Sequence, residues 1–170
     1  MISNLVISDL VIRELRISNV VISEDRKRMA FVANENGNSR VYLMDPATRA
    51  YRMVDKIPTG VAYGLRFSPD DRNLGLTLNS ANAPSDAYAL KLGRSPLRFG
   101  RLVRWTESEV GGLVAREFVI PDLVHYPTFD GRDVPAWIHK PRGAGPHPVI
   151  IRIHGGPEGQ ARPMFSATYQ

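Results

Sequence analysis

The chain has 170 residues, a formal net charge of +5 and no cysteine, so it can form one domain or parts of two, without disulfides or thiolate metal sites. The charge does not indicate nucleic-acid binding, because the only basic run, residues 26–28, has no interleaved aromatic residues on which bases could stack. Asp9, Arg13 and Glu14 interrupt the apolar N-terminus, so no run approaches the roughly 20 residues of a membrane span. We expect a cytoplasmic protein without cofactor or membrane.

Residues 1–27 form a repetitive segment in which isoleucine recurs every five residues, at Ile2, Ile7, Ile12, Ile17 and Ile22. The pattern resembles that of pentapeptide-repeat proteins, which wind into a square β-helix. A solenoid needs about three stacked units to bury its core, and this stretch supplies little more than one turn. We therefore favour an adventitious extended segment, which would order as β structure because Ile and Val dominate.

Residues 28–120 contain short apolar runs separated by turn residues, a pattern typical of antiparallel sheets. The predicted strands are residues 29–33, 40–44, 51–54, 61–67, 74–78, 87–92, 102–105 and 114–120. The spacing from Phe31 through Phe67 to Val119 fits propeller blades of about 40 residues. We expect two blades at most, where closed propellers usually have four to eight, and we expect their open edges to favour self-association.

Residues 121–170 begin with a predicted hairpin, whose strands 124–129 and 134–139 flank a turn. The run 149–153 is apolar apart from Arg152, which predicts a strand covered on both faces. It leads directly into His154-Gly155-Gly156-Pro157. In serine hydrolases of the α/β type, a glycine loop in this position supplies a backbone N–H to the oxyanion hole.

Three strings in this order resemble the entry to the peptidase domain of the prolyl oligopeptidase family, closest to its acylaminoacyl-peptidase and dipeptidyl-peptidase-like branch. They are residues 129–138, residues 145–148 and the His154 to Pro157 loop; upstream, residues 67–71 resemble the family's blade motif. The resemblance implies a mainly β chain, with a partial propeller followed by the first strands of an α/β-hydrolase domain. It also implies Gly156 as the oxyanion-hole glycine, supported by His154, Gly155 and Pro157, and a peptide as substrate of the full-length enzyme.

The sequence offers no catalytic nucleophile, because no G-x-S-x-G elbow occurs in it. Ser39 and Ser95 each follow a glycine at the right spacing but lack the second glycine. By the resemblance, the Ser-Asp-His triad would lie beyond Gln170, and we expect this chain to be inactive alone.

Other residues with chemical potential fit structural roles better. The histidines share no metal-ligand spacing, the paired aspartates lie in turn signatures, the adjacent glycines lack a phosphate-binding pattern, and the tryptophans lie in strand patterns where packing is expected. These residues are His125, His139, His147, Asp70, Asp71, Asp130, Asp133, Gly111, Gly112, Trp105 and Trp137.

Three functional hypotheses remain open. The first is a fragment of a serine peptidase that hydrolyses short peptides or acyl-aminoacyl bonds through an acyl-enzyme. The second is a non-catalytic β-rich binding or assembly module, in which residues 2–26 and the blade edges recruit another chain by strand addition. The third is complementation, in which a separate chain supplies Ser, Asp and His.

Overall fold

Short strands joined by tight turns build almost the whole of the computed structural model, which describes residues 16–156 and 158–170. The ten strands are β1 (Arg16–Ile22), β2 (Met29–Glu35), β3 (Asn38–Met44), β4 (Tyr51–Met53), β5 (Gly60–Phe67), β6 (Asn73–Ser80), β7 (Ala83–Leu92), β8 (Phe99–Arg104), β9 (Asp122–Pro127) and β10 (Asp133–Ile138). They form a sheet of β1–β4, a sheet of β5–β8 and a two-stranded sheet of β9 and β10. All strand pairs are antiparallel.

The two four-stranded sheets are consecutive blades, in which strands that follow one another in the chain also pair with one another. This up-and-down order is that of propeller blades, and the predicted mainly β, partial-propeller fold is confirmed. The prediction of β structure in the repetitive segment is also confirmed where the structure describes it. There β1 pairs with β2, from Arg16 opposite Asn34 to Ile22 opposite Met29. Residues 1–15 of that segment lie outside the described residues.

The main core lies between the blades, because alternate residues of each strand point to the same face. Strand β6 alternates strictly between buried and partly exposed positions along its whole length. One face of each blade and the connection between them supply the fully apolar interior. Its buried members are Ala30, Val32, Val41, Leu43, Val54, Ile57, Ala62, Leu65, Leu74, Leu76, Leu78 and Leu90.

Turn chemistry fixes the hairpins as the sequence predicted. Asn36 and Gly37, with φ of 51° and 88°, connect β2 to β3, and positive φ at both turn residues matches the twist of a two-residue hairpin. Asp71, also at positive φ (53°), closes the turn between β5 and β6. Asp130 accepts the Thr128 hydroxyl and the Arg132 guanidinium in the β9–β10 turn, so this aspartate serves the turn.

Two expectations in the region after β8 are wrong. Residues 114–120 form no strand; they contain a single 3₁₀ turn at Ala115–Glu117, which follows Gly111 and Gly112 at positive φ. Trp105 is 75% exposed rather than packed in a blade, because it lies just beyond the end of the outer strand β8. Among residues 16–156 and 158–170, no helix is long and apolar enough to cross a membrane.

Candidate oxyanion loop

The run before the candidate loop is not a covered strand, which corrects the sequence prediction. Residues 149–153 form no strand, and Val149, Ile150, Ile151 and Ile153 are between 82% and 92% exposed. A strand buried on both faces needs neighbouring strands to take up its backbone hydrogen bonds. Nothing in the described part of the chain pairs with this run.

The loop itself lies in solvent and turns back on itself. Gly155 and Gly156 are exposed, and Nδ1 of His154 lies 2.9 Å from the carbonyl oxygen of Gly155. A Cβ on Gly159 would lie 2.0 Å from that same oxygen and 2.8 Å from His154 Nδ1. Gly159 is therefore the residue that the turn requires to be glycine. Pro157 lies outside the described residues.

Gly156 has no steric reason of its own to be glycine. Its φ is not positive, and a Cβ there would meet only the backbone nitrogen of Glu158, at an ordinary 3.7 Å. The alternative explanation, a glycine needed for positive φ, therefore does not apply in this arrangement. The assignment of Gly156 as an oxyanion-hole glycine stays a prediction.

The chemical capacity of the loop is limited to a backbone donor. Within residues 16–156 and 158–170, no serine hydroxyl is hydrogen bonded to a histidine ring; His125, His147 and His154 contact Asn36, Gly143 and Gly155 respectively. The same residues contain no group of three or more histidine, aspartate or glutamate side chains that could hold a metal ion. Acyl transfer needs a nucleophile with its base and a preorganised donor in an enclosed site, and the described residues around the loop show no such arrangement.

The segment after the loop, residues 160–170, lies across one end of both blades. Gln160 bonds to Asn34 (2.7 Å) and Arg162 donates to the Gly37 carbonyl (2.9 Å) and to the Ser39 hydroxyl (3.2 Å), all at the β2–β3 hairpin. This segment, with Pro163 fully buried, is called the docking segment below.

The docking segment continues onto the second blade and the linker that follows it. The Phe165 N–H donates to Asn79 Oδ1 (2.7 Å), and Gln170 Nε2 donates to the carbonyls of Ala81 (3.1 Å) and Val119 (3.0 Å). The hairpin sheet joins the same end, where Trp137 Nε1 donates to the Asn36 carbonyl (3.2 Å). The chain that carries the candidate loop is thus attached to the blade end formed by the β2–β3 and β6–β7 turns.

Replacing Arg162 with alanine is expected to release the docking segment while leaving the blades folded. Burial lowers the pKa of Arg162, but a guanidinium stays charged at neutral pH, and its two bonds would be lost. Amide hydrogens of residues 158–170 should exchange about tenfold faster, measured by hydrogen exchange with mass spectrometry. Arg116→Ala, at an exposed arginine with no side-chain bond in the described structure, is the control; equal exchange in both variants would contradict the assignment.

Sequence reasoning missed the residues that hold this arrangement together. Asn34, Gln160, Arg162 and Gln170 make contacts over 51 to 126 residues of sequence, and half of these hydrogen bonds go to backbone carbonyls. Carbonyls leave no pattern in a sequence, so nothing in the composition or spacing marks these side chains. The tryptophan Trp137 was expected in packing, and it is half-buried against the hairpin.

Comparison with known proteins gives structural matches alone. No protein-family profile matches the sequence, and no curated protein matches it. A chain from a structural and mechanistic study of two prolyl endopeptidases aligns with a TM-score of 0.53 at 18% identity. Prolyl oligopeptidase B from Galerina marginata, bound to a 35mer hydrolysis and macrocyclization substrate, aligns with a TM-score of 0.53 at 16% identity. The likeness is one of fold.

The chain spans only a small part of the proteins that it matches. Each alignment covers 71% of this chain but 16% of the other, so the chain corresponds to a small part of those proteins. At such identities a shared blade architecture carries no information about activity.

Proposed function

We propose that this chain is part of a serine peptidase of the prolyl oligopeptidase family, within its acylaminoacyl-peptidase and dipeptidyl-peptidase-like branch. The observation that carries the proposal is order: two blades come first, then a glycine loop of the hydrolase type, and then the segment that docks on one end of the blades. The structural likeness to two prolyl peptidases is consistent with this order.

In the complete enzyme, the parts of this chain would have distinct roles. The N–H of Gly156 would donate to the oxyanion that forms when a serine attacks the substrate carbonyl, while His154, Gly155 and Pro157 shape the loop. The blades would screen peptides by size before they reach that loop. Absence of cysteine suits a reducing cytoplasm, where we place the enzyme.

The exposed run 149–153 supports the proposal rather than opposing it. Its β-branched residues have high strand propensity, yet four of them are almost fully exposed. Large exposed apolar patches mark surfaces that are meant to be covered. In this proposal the run becomes the first central strand of an α/β-hydrolase sheet once neighbouring strands pair with it.

The 170-residue chain by itself is expected to form no acyl-enzyme, because it contains no nucleophile elbow. Purified protein should hydrolyse aminoacyl and acyl-aminoacyl chromogenic substrates no faster than buffer does. A fluorophosphonate probe should label none of its serines, while an intact prolyl oligopeptidase, labelled in parallel, reports that the probe is active. A labelled serine that disappears in Ser39→Ala or Ser95→Ala would contradict the proposed inactivity.

A second candidate function is a β-rich assembly module, and the exposed run 149–153 is also the observation that favours it. An extended, unpaired apolar segment is able to add to the sheet edge of another chain. Sedimentation would then give a defined oligomer in which residues 149–153 are protected from hydrogen exchange. A monomer with rapid exchange in this run would exclude this function. Restored fluorophosphonate labelling on co-expression with a chain that carries the elbow would instead support complementation.

A further inference from the structure

A groove of about 540 Å³ lies at the end of the blades opposite the docking segment. Three turns border it: the β1–β2 turn, the β5–β6 turn and the β7–β8 turn. Antiparallel order puts these turns at one end of the strands and the β2–β3 and β6–β7 turns, which hold the docking segment, at the other. The groove is therefore separate from the candidate oxyanion loop.

Two bridges between the blades fix the shape of this groove. The Arg28 guanidinium donates to the carbonyls of Gly93 (2.8 Å), Ser95 (2.5 Å) and Pro96 (2.7 Å). The Asp71 carboxylate accepts the backbone N–H groups of residues 24 (3.0 Å) and 25 (2.9 Å). Both motifs that the proposed function left without a role, the basic run 26–28 and the aspartate pair 70–71, thus meet here.

The aspartates of the groove are occupied by their own turns. Asp25 accepts from the Lys27 N–H (2.9 Å) and the Ser23 hydroxyl (2.8 Å), and Asp70 accepts from the Ser68 hydroxyl (2.6 Å) and the Arg72 N–H (3.1 Å). These hydrogen bonds lower the pKa of both carboxyl groups. They remain ionised and are engaged by hydrogen bonds within their own turns, and in the described part of the chain none of them lies within 4.0 Å of the charged group of Lys27, Lys91 or Arg94.

Three cations of the groove have no carboxylate partner. Lys27, Lys91 and Arg94 line it and are exposed, and none forms an ion pair within 4.0 Å in residues 16–156 and 158–170. Arg28 and Arg72 bring the lining to five cationic side chains against three carboxylates. A groove with a positive excess on long side chains raises the local concentration of anions.

We propose that this groove binds an extended acidic peptide segment. A compact polyphosphate would approach the fixed aspartates as closely as it approaches the cations, which costs repulsion. An extended chain can place its carboxylates beside Lys27, Lys91 and Arg94 and its own N–H groups toward the aspartates. The lining has no aromatic residue, so nucleic-acid bases would find no stacking partner.

The test is fluorescence anisotropy of the full chain with a labelled peptide of alternating Glu and Gly. Binding should weaken as ionic strength rises, and the triple variant Lys27→Gln, Lys91→Gln, Arg94→Gln should lose about tenfold in affinity, as three solvent-screened ion pairs would give. The control triple variant Lys56→Gln, Arg66→Gln, Arg101→Gln changes the net charge equally at exposed positions outside the groove. Its affinity for the peptide should fall by about twofold at most.

Three results would overturn the proposal. The first is an equal loss of peptide affinity in the two triple variants. The second is equal affinity for the same peptide with Gln in place of Glu. The third is tighter binding of tripolyphosphate or single-stranded DNA than of the peptide. A second measurement needs no variant: the amide resonances of residues 24–27 and 91–95 in the unmodified chain should shift on addition of the peptide. Shifts confined to other residues would equally exclude this groove.

Discussion

Replacing Arg28 with alanine is expected to lower the free energy of unfolding by about 3 kcal/mol, measured by urea denaturation followed by circular dichroism. Arg28 is only 6% exposed, and its guanidinium satisfies three carbonyls of the β7–β8 turn from the first blade. Burial lowers its pKa, yet the group stays charged, so each bond is charge-assisted. Truncation removes the side-chain donor from all three carbonyls, leaving the Ser95 carbonyl with the Arg98 N–H alone, and it removes a bridge between the blades.

Two further variants separate the fork geometry of Arg28 from its charge. Arg28→Lys keeps the charge but cannot donate to three carbonyls in a fixed plane, so most of the loss should remain. Arg94→Ala, at an exposed position of the β7–β8 turn that Arg28 contacts, should change stability by about 0.5 kcal/mol or less. The bridging role would be wrong if Arg28→Lys were as stable as the unmodified protein, or if Arg94→Ala cost as much as Arg28→Ala.

The blades could be predicted from sequence because each strand carries its own signal. Alternating apolar residues between turn residues predicted residues 29–33, 40–44 and 61–67, and the strands found there, β2, β3 and β5, are each longer by at most two residues. Burial of one face and the turn chemistry both act locally. Local signals of that kind do not depend on which other strands are present.

The β6–β7 connection shows where a local signal misleads. The gap between the predicted strands 74–78 and 87–92 predicts a loop over Asn79 to Ser85, which includes Pro84. In the structure β6 continues to Ser80 and β7 begins at Ala83. The pairing steps from Leu78 opposite Asp86 to Ser80 opposite Ala83, so the register shift leaves an irregularity around Pro84. Proline is tolerated in a strand at such a bulge, and the sequence alone does not reveal a bulge.

For the candidate site, the sequence predicted the residue pattern but not the structure that surrounds it. The run 149–153 has the composition of a buried strand, but a central strand exists through its neighbours, and none lies beside it in the described structure. Each strand of a blade pairs with another strand of the same blade, within about 40 residues of chain. The run 149–153 has no such neighbouring strand in the described structure. The same difference explains why residues 114–120 form no strand, although their composition resembles that of β8.

Replacing Asp86 with alanine is expected to cost about 4 kcal/mol, the largest effect of any single polar substitution considered for this chain. Its side chain is 0% exposed and accepts from Arg104 Nε (3.1 Å) and Nη2 (2.5 Å), from the Thr106 hydroxyl (2.7 Å) and from the Ser108 N–H (2.9 Å). These bonds tie β7 to β8 and to the chain that leaves the second blade. Removal of the carboxylate leaves the Arg104 charge without its partner, and urea denaturation at neutral pH measures the loss.

The pH dependence distinguishes a charged Asp86 from one that merely fills space. Burial acts to raise the pKa of Asp86, but hydrogen bonds from Thr106, Arg104 and Ser108 together lower it below its ordinary value. A folded-state pKa below the unfolded value of about 4 means that the contribution is complete above about pH 4 and is lost as pH falls through the folded value. The stability difference between the unmodified protein and Asp86→Asn should therefore be largest at neutral pH and should shrink in acid. Asp55→Asn, at an exposed aspartate, is the control and should change stability by about 0.5 kcal/mol or less at neutral pH. A difference for Asp86→Asn that stays constant as pH falls would mean that its charge contributes nothing to the folded state.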